Sequence, residues 1–317
     1  MRVIGVGALS LSVVNMVVGA GIFVLPGRIA ADLGSAAILA YLVCSVAVAL
    51  VFLCFAEVGS RVTRSGGAYA YIEEAFGPLA GFVASILLWF GYLALADAAI
   101  TVAMVDAMSI AFPVLGERIP RGVFIIALFA FLAIVNIKGT KAGVRLYMFN
   151  TLAKLVPLVL LLVVGLFAIN VEHLAIPAWP SARDFGAGAI ILFFAFTGAE
   201  GALSASGEIK NPSKTVPMGL LIGMAGLLVL YVGLQTVAQG VLGPELAHST
   251  EAPLAAVAVE VFGGWGGKML LVGAVISIYG AISGDMLGAP RVIFATSLDG
   301  NLPKVLSNVH AKYKTPH

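Results

Sequence analysis

The stretch NMVVGAGIFVLPG, residues 15–27, interrupts a long apolar run with three glycines and a proline. A glycine inside a helix costs about 1 kcal/mol relative to alanine, and a proline about 3 kcal/mol. Unwound backbone at membrane depth is tolerated only beside a polar cavity or a ligand, because unsatisfied N–H and C=O groups are costly in lipid. We therefore expect Gly19, Ala20 and Gly21 to expose backbone groups that bind something polar.

Two sets of backbone groups in this stretch have the polarity to bind a small molecule. A half-helix beginning near Ile22 and Phe23 points its free N–H groups and its positive dipole end at an anion such as a carboxylate. The carbonyl groups that end the preceding half-helix, around Val17 and Val18, can accept hydrogen bonds from an ammonium group. The alternative interpretation is that the glycines only permit close packing of helices.

A second apolar run is interrupted by the sequence TGAEG at residues 197–201. The carbonyl groups near Ala195, Phe196 and Thr197 are further acceptors for an ammonium group, and Gly198 weakens the helix there. Paired glycine-interrupted helices are typical of a transporter binding site, which favours binding over packing at both interruptions. Donors on one side and acceptors on the other match a zwitterionic amino acid.

Ionisable residues inside apolar spans are costly, so they are candidates for function. Glu200 lies within the second interruption, where we expect a proton-linked or gating role. Lys154 lies deep in its span, and a buried lysine can titrate or take the place of a bound metal cation. The alternative for Lys154 is an anchor at the start of a helix.

Two aspartates and two aromatic residues complete the set of candidates. Asp97 and Asp285 lie near the middle of their spans and can receive a cationic side chain. The alternative for both is a helix-packing hydrogen bond or a protonated carboxyl group. Phe194 and Phe196 flank the second interruption, where they either close over a substrate or pack as ordinary aromatic residues.

Membrane-spanning helices must position these groups. The 317-residue chain is 61% hydrophobic and 11% charged, with a mean hydropathy of +1.06, whereas soluble domains are about 25% charged. We predict an all-α polytopic membrane protein with about eight transmembrane helices, each of about 20 apolar residues, and no soluble domain. The predicted spans are residues 3–31, 35–58, 79–112, 122–138, 144–169, 187–207, 216–242 and 266–297.

The basic residues predict the orientation of the chain. With the N-terminus in the cytoplasm, most Lys and Arg residues lie in cytoplasmic loops, as the positive-inside rule requires. Span one then starts inside and span six starts outside, so the two interrupted helices run in opposite directions. We expect a single transporter domain over residues 1–317, with a first repeat over 3–169 and an incomplete, inverted second repeat over 187–317.

Other classes of function find no support in the residues. The four histidines lie in loops or at the chain end without metal-ligand spacing, so we predict no metal site and no cofactor. No Ser/His/Asp grouping suggests an enzyme, and no basic tract suggests a nucleic acid partner. The predicted partners are the lipid bilayer and a small-molecule substrate, an amino acid or an amine. The sequence leaves both a monomer and a homo-oligomer open.

Four motifs, in the expected order, resemble the amino acid–polyamine–organocation (APC) superfamily of secondary transporters. VVGAGIFVLPG resembles the first-span motif of that family, and RSGGAYAYIEEAFGPLAGF (64–82) resembles its loop between spans two and three. FFAFTGAEGALSASGEIKNPSKTVP (193–217) resembles the broken sixth span, and APRVIFATSLDGNLPKVL (289–306) resembles the end of span eight. The resemblance covers essentially the whole chain.

The resemblance implies a LeuT-like inverted-repeat helical bundle with broken spans one and six. It implies a permease of the cytoplasmic membrane that moves amino acids by alternating access, either proton-coupled or by exchange. By the same resemblance, the substrate carboxylate binds the first interruption, at Gly19, Ala20, Gly21, Ile22 and Phe23.

Roles for other candidates also follow from the resemblance. Phe194 falls at the family's aromatic gate and Glu200 at its proton-linked acidic residue. Lys154 would approach the backbone around Gly19 and coordinate span one with span eight. Asp97 falls where members with basic substrates place a polar contact on span three.

One departure from the family leaves alternatives open. The chain ends after KYKTPH, where span nine would normally begin, so we expect the second repeat to lack two spans. The alternatives to an amino acid permease are a cationic amino acid or polyamine antiporter, favoured by Asp97 and Asp285, and a non-transporting sensor or truncated subunit. Sodium coupling is disfavoured, because Lys154 would repel the ion.

Overall fold

The fold is built from α-helices joined by short turns. The structure is a computed structural model and describes residues 2, 4–63, 66–109, 112–137, 140–204 and 206–310. Outside the described residues lie Arg64, Ser65 and Ala205 of the family motifs and residues 311–317 of the predicted domain. The helices are α1 (Val6–Val17), α2 (Gly21–Leu33), α3 (Ala37–Arg61), α4 (Ala68–Phe76), α5 (Pro78–Ile86), α6 (Leu95–Ser109), α7 (Arg118–Ile137), α8 (Thr140–Gly165), α9 (Ala182–Ala195), α10 (Ala199–Ala202), α11 (Pro212–Leu242), α12 (Pro253–Phe262) and α13 (Gly264–Leu298).

Within the described residues, seven helical segments are long and apolar enough to cross a membrane. The all-α polytopic architecture is therefore confirmed. The number differs from the predicted eight because the first predicted span is divided at residues 18–20, and α2 continues into α3 through a tight turn at Gly34–Ala36. The seven segments are Gly21–Arg61, Pro78–Ser109, Arg118–Ile137, Phe149–Ala168, Ala182–Ala202, Pro212–His248 and Gly264–Leu298.

Both predicted helix interruptions are confirmed. α1 ends at Val17 and α2 begins at Gly21, with Val18 leaving the helical region at ψ 83°. α9 ends at Ala195 and the single turn of α10 begins at Ala199. The glycine clusters that weaken these two apolar runs in the sequence thus mark real breaks in the helices.

The long helix α11 holds α1 in the bundle. It packs along α3 and α1, and its Gly219 and Gly223 lie directly against Leu9 and Val13 of α1. A methyl group at Gly219 would come within 2.7 Å of Leu9, and one at Gly223 within 2.8 Å of Val13. Small residues let membrane helices approach this closely, because their attraction comes from van der Waals packing. The position of the first interruption therefore depends on α11.

The longest helix, α13, forms the other side of the bundle. It packs against α8, α12 and α6. In the third span, α5 and α6 are joined by a wider π-helical segment at Leu87–Ala94, which also contacts α13. Such π segments are frequent at functional sites, because the extra residue in the turn redirects the side chains that follow. This segment precedes Asp97.

A short helix that the sequence reasoning missed, α4, ties one end of the bundle together. The Tyr69 hydroxyl of α4 donates a hydrogen bond to Asp299, after α13, at 2.8 Å. The N-terminal segment joins the chain after α10 through a parallel bridge between Ile4 and Ile209. At this end of the bundle, the chain after span two is therefore linked to the end of span eight, and the start of span one to the chain after span six.

Candidate functional site

The first interruption leaves backbone groups without helical partners. The N–H groups of Val18 and Gly19 still donate backward, to Val14 at 2.9 Å and to Val17 at 2.8 Å. The Phe23 N–H of α2 donates to the Ala20 carbonyl oxygen at 3.1 Å, whereas the N–H groups of Gly21 and Ile22 have no acceptor among the described residues. Gly21 and Ile22 are the residues that begin α2. The interruption thus presents acceptors on one side and donors on the other.

Lys154 of α8 donates hydrogen bonds to carbonyl groups at the end of α1. Its Nζ atom donates to the carbonyl oxygens of Asn15, at 2.6 Å, and Val18, at 2.5 Å. The side chain is fully buried, with 0% exposure. The Lys154 ammonium therefore contacts one carbonyl group near the end of α1 and the carbonyl group of Val18, the residue before Gly19.

Hydroxyl groups from two further helices reach the same carbonyl groups. Ser277 of α13 donates to Val18 at 3.0 Å, with Gly19 at 3.3 Å. Tyr231 of α11 lies within hydrogen-bond distance of Val17, at 3.0 Å, and of Ala195 in the second interruption, at 3.2 Å. Span one is therefore connected to spans five, seven and eight at its interruption, and Tyr231 connects it to span six.

The second interruption is stabilised mostly by its own residues. Gly198 adopts φ 111°, a left-handed conformation that glycine accepts without the penalty of a Cβ atom. Its N–H donates to Glu200 Oε2 at 3.0 Å. The Thr197 hydroxyl donates to the carbonyl oxygen of Phe194 at 2.7 Å. The Glu200 carboxylate therefore caps the start of α10.

The two interruptions face each other. A methyl group at Gly21 would lie 3.6 Å from Ala195, which is van der Waals contact. A methyl group at Gly198 would come within 2.7 Å of the Met16 carbonyl oxygen, so backbone meets backbone there. The N-terminal end of α2 and the C-terminal end of α9 consequently lie side by side, and their dipoles present opposite partial charges.

The remaining predicted site residues differ in burial. Val18, Ile22, Phe23 and Phe196 are buried, and the Phe196 ring packs on Tyr231 with ring centroids 4.8 Å apart. Phe194, predicted with Phe196, is instead 59% exposed. The structure therefore brings Phe196 into the site, and a gating role for Phe194 stays a prediction.

Gly19 and Ala20 form the partly open part of the first interruption. Both residues are half-buried. The atom nearest to a methyl group built on Gly19 is the Val17 carbonyl oxygen, at 4.0 Å. Gly19 therefore has room for one further carbon atom among the described residues.

Asp97 and Asp285 are brought together although 188 positions separate them in the sequence. Their side chains line the same cavity, where α6 packs against α13. Asp285 lines two cavities. One, of about 40 Å³, is also lined by Glu200 and Ser204, and the other, of about 440 Å³, is also lined by Asp97 and Thr101. Asp285 therefore connects the second interruption with span three.

Sequence reasoning missed Tyr231 and Ser277. Each is a polar residue in an otherwise apolar span, which is the signal that could have selected them. Within the described part of the chain, no group of three or more His, Cys, Asp or Glu side chains is arranged to hold a metal ion.

Known proteins are similar in sequence to this chain over almost its full length. The sequence profile of the family described as amino acid permease matches residues 4–317. The serine/threonine exchanger SteT of Bacillus subtilis (strain 168) is 30% identical over 96% of this chain and 70% of its own length. The branched-chain amino acid permease BcaP of the same organism is 30% identical over 100% of this chain and 71% of its own. The cadaverine/lysine antiporter of Escherichia coli (strain K12) is 27% identical over 96% of this chain and 69% of its own.

Proposed function

The chain belongs to the amino acid permease family, and from this premise we propose how it moves its substrate. It is an amino acid transporter and an integral, multi-pass membrane protein. Its cycle is alternating access in the cytoplasmic membrane, with the N-terminus in the cytoplasm and with transport by exchange or by coupling to protons. Serine, threonine and branched-chain amino acids are the first substrates to test, since relatives carry those names.

One observation carries the proposal: side chains already bond carbonyl groups of the first interruption, whereas the N–H groups of Gly21 and Ile22 have no hydrogen-bond acceptor among the described residues. Lys154, Tyr231 and Ser277 bond the carbonyl groups of residues 15, 17 and 18. The N–H groups of Gly21 and Ile22 begin a helix and need an external acceptor. A substrate carboxylate beside Gly19 satisfies those N–H groups and the positive end of the α2 dipole.

The substrate ammonium group is placed at the second interruption. The carbonyl groups of residues 195–197 end α9, where the helix dipole is negative. The closeness of Gly21 to Ala195, with a built methyl group only 3.6 Å away, brings these acceptors next to the donors of α2. An α-amino acid carries its two charged groups on adjacent carbon atoms, so it fits between neighbouring donors and acceptors.

Coupling is assigned to Lys154 and Glu200. Each is an ionisable side chain that bonds directly to one of the two interruptions. Glu200 also lines the small cavity that it shares with Asp285, which is large enough for water. A change of charge on either side chain alters its hydrogen bonds to the broken backbone and therefore the shape of the substrate site.

Counterflow in proteoliposomes tests the proposal. Vesicles containing the 317-residue chain are preloaded with unlabelled serine or leucine and diluted into the labelled amino acid. We expect labelled uptake to accelerate with the preloaded amino acid and not with its methyl ester, because the ester has no carboxylate for the N–H groups of α2.

Two results would contradict the proposal. Counterflow that is absent for every amino acid tested would favour a non-transporting sensor or subunit. Methyl esters that accelerate uptake as strongly as the free amino acids would remove the role of the α2 N-terminus. Empty vesicles and vesicles with heat-denatured protein serve as controls.

A further inference from the structure

Basic side chains cluster at the end of the bundle that carries α4. The cluster, which we call the basic patch, comes from three separate parts of the chain and consists of Arg2, Arg61, Lys210 and Lys214. All four residues are exposed. They have no part in the proposed substrate site, which lies at the two helix interruptions, so the patch needs an explanation of its own.

The N-terminal segment connects the parts of the basic patch. The Arg2 guanidinium lies 3.5 Å from the hydroxyl group of Thr63, which follows Arg61 by two residues. The Lys210 N–H donates to the Ile4 carbonyl oxygen at 2.9 Å, two residues after Arg2. The chain after α3 and the chain before α11 therefore both contact the same short segment, which brings their basic residues to one region of the surface.

The end of α3 and the start of α11 also lie side by side. A methyl group built on Gly59 would come within 3.0 Å of the Val216 side chain. Arg61 follows Gly59 by two residues, and Lys214 precedes Val216 by two residues. Since the end of α3 and the start of α11 lie at the same end of the bundle, both basic residues lie on the same side of this contact.

The basic patch lies at the depth of the lipid headgroups. Arg61 is the last residue of one apolar segment that is long enough to cross a membrane. Pro212, between Lys210 and Lys214, is the first residue of another. The ends of such segments lie in the interfacial region, which contains the phosphate groups of the lipids.

Neighbouring carboxylates neutralise only part of the charge of the basic patch. Glu57 pairs with Arg61 at 2.8 Å. Glu208, two residues before Lys210, pairs instead with Arg291 of α13 at 3.2 Å. Within the described residues, the other three basic side chains of the patch form no salt bridge. Their positive charges are therefore available to an external anion.

We propose that the basic patch binds the headgroup of an anionic phospholipid. Ammonium and guanidinium groups donate strong hydrogen bonds to phosphate oxygens, and clusters of about four or more basic residues at the end of a membrane span attract anionic lipids. A zwitterionic lipid has the same phosphate, but its choline group adds a positive charge that the patch repels. A headgroup bonded to both Arg2 and Lys210 reinforces the bridge between Ile4 and Ile209 and holds the segment before α1 in place.

The test compares two lipids that differ in the charge of the headgroup. Dioctanoyl phosphatidylglycerol and dioctanoyl phosphatidylcholine are titrated into the purified chain in an uncharged detergent, and binding is measured by calorimetry. We expect phosphatidylglycerol to bind about 10- to 100-fold more tightly, because each basic residue near the headgroup contributes about a 5-fold gain. Sodium chloride at about 1 M should remove most of this preference, since salt screens exposed charges.

Variants assign the preference to the basic patch. Lys210→Gln and Lys214→Gln should each weaken the binding of phosphatidylglycerol about 5-fold, and the triple variant with Arg2→Gln should bind the two lipids equally within about 2-fold. Lys268→Gln is the matched control and should keep the full preference. Lys268 is exposed near the start of α13, whereas the patch lies at the end of the bundle where α13 finishes. The unfolding midpoint in phosphatidylcholine nanodiscs should be the same for all variants.

Three results would overturn the lipid site. Equal binding of the two lipids by the unmodified protein would remove the preference for negative charge. A preference that persists in the triple variant would place the anionic lipid elsewhere on the protein. Displacement of phosphatidylglycerol by inorganic phosphate at equal concentration would assign the basic patch to a free anion instead of a lipid. The measurements use no amino acid, so their outcome is independent of the proposed function.

Discussion

The two helix interruptions face each other but are stabilised in different ways. At the first, side chains from α8, α11 and α13 bond the carbonyl groups of residues 15, 17 and 18. At the second, the Glu200 carboxylate and the Thr197 hydroxyl bond backbone groups within four residues of themselves. The geometry of the first interruption therefore depends on three distant helices, whereas that of the second is encoded locally.

This difference has a consequence for transport. A displacement of α8 or α13 relative to α1 breaks hydrogen bonds at the first interruption and changes the groups offered to the substrate carboxylate. The bonds made by Thr197 and Glu200 travel with the second interruption, whereas the bond from Tyr231 to Ala195 does not. The Tyr231 hydroxyl, within 3.0 Å of Val17 and 3.2 Å of Ala195, is the contact that makes one interruption respond to the other.

The largest expected effect is at the locally encoded interruption. Gly198→Ala places a Cβ atom at positive φ, which costs about 1–2 kcal/mol, and drives it against the Met16 carbonyl oxygen at 2.7 Å. Overpacking of this kind adds about 1–3 kcal/mol. We expect a strong fall in the midpoint of thermal unfolding and in the yield of folded protein.

The control for that substitution is Gly186→Ala on the preceding helix, α9, where a built methyl group has no heavy atom of the described residues within 4 Å. It should leave the unfolding midpoint unchanged or raise it slightly, because alanine is the better helix former. Equal midpoints for the two variants would show that the left-handed turn at Gly198 is not required.

The next largest effect tests whether α8 stabilises the first interruption. Lys154→Met keeps an unbranched side chain but removes the side-chain donor for Asn15 and one of the two donors for Val18. A buried carbonyl left without a partner costs about 1–3 kcal/mol. We expect uptake in proteoliposomes to be abolished and the unfolding midpoint to fall. The charge control is Lys268→Met on the exposed surface of α13, which should transport normally. Normal uptake by Lys154→Met would contradict the dependence of the first interruption on α8.

The smallest expected effect distinguishes the two interruptions directly. Ser277 and Lys154 both bond the Val18 carbonyl oxygen, so their substitutions should be non-additive. In a double-mutant cycle we expect Ser277→Ala and Lys154→Met to show a coupling energy of about 0.5–3 kcal/mol. Thr197→Val and Lys154→Met should add within about 0.5 kcal/mol, because Thr197 bonds only within its own interruption among the described residues. Additive effects of Ser277→Ala and Lys154→Met, together with coupled effects of Thr197→Val and Lys154→Met, would contradict the difference in stabilisation between the two interruptions.

The interruptions were predictable because their cause is local. Glycine clusters at residues 19–21 and 197–201 weaken apolar helices wherever the rest of the protein lies, and the structure breaks the helices there. The partners that stabilise the first interruption were predictable only in part. Ser277 lies 259 positions from Val18, and a lone serine in an apolar span does not indicate which carbonyl group it meets.

Phe194 and Phe196 show that two positions close in the sequence can differ completely in burial. Phe194 and Phe196 were predicted together, yet residues two apart on an α-helix point about 200° apart. Phe196 is buried against Tyr231, and Phe194 is on the outer surface. The shared cavity of Asp97 and Asp285 could not be predicted either, because it depends on how α6 packs against α13, which lies far away in the sequence.

The central claim is that the first interruption binds the substrate, and one pair of variants tests it most directly. A methyl group on Gly19 meets no atom of the described residues closer than 4.0 Å, and one on Gly7, in α1, meets none within 4 Å. Both Gly19→Ala and Gly7→Ala should therefore fold.

Calorimetric binding of an amino acid substrate to the two variants is the decisive measurement. We predict at least about 10-fold weaker binding for Gly19→Ala at an unchanged unfolding midpoint, because its methyl group occupies the space beside the α2 N-terminus. Gly7→Ala should bind like the unmodified protein. Unchanged affinity in Gly19→Ala would contradict the placement of the substrate at the first interruption.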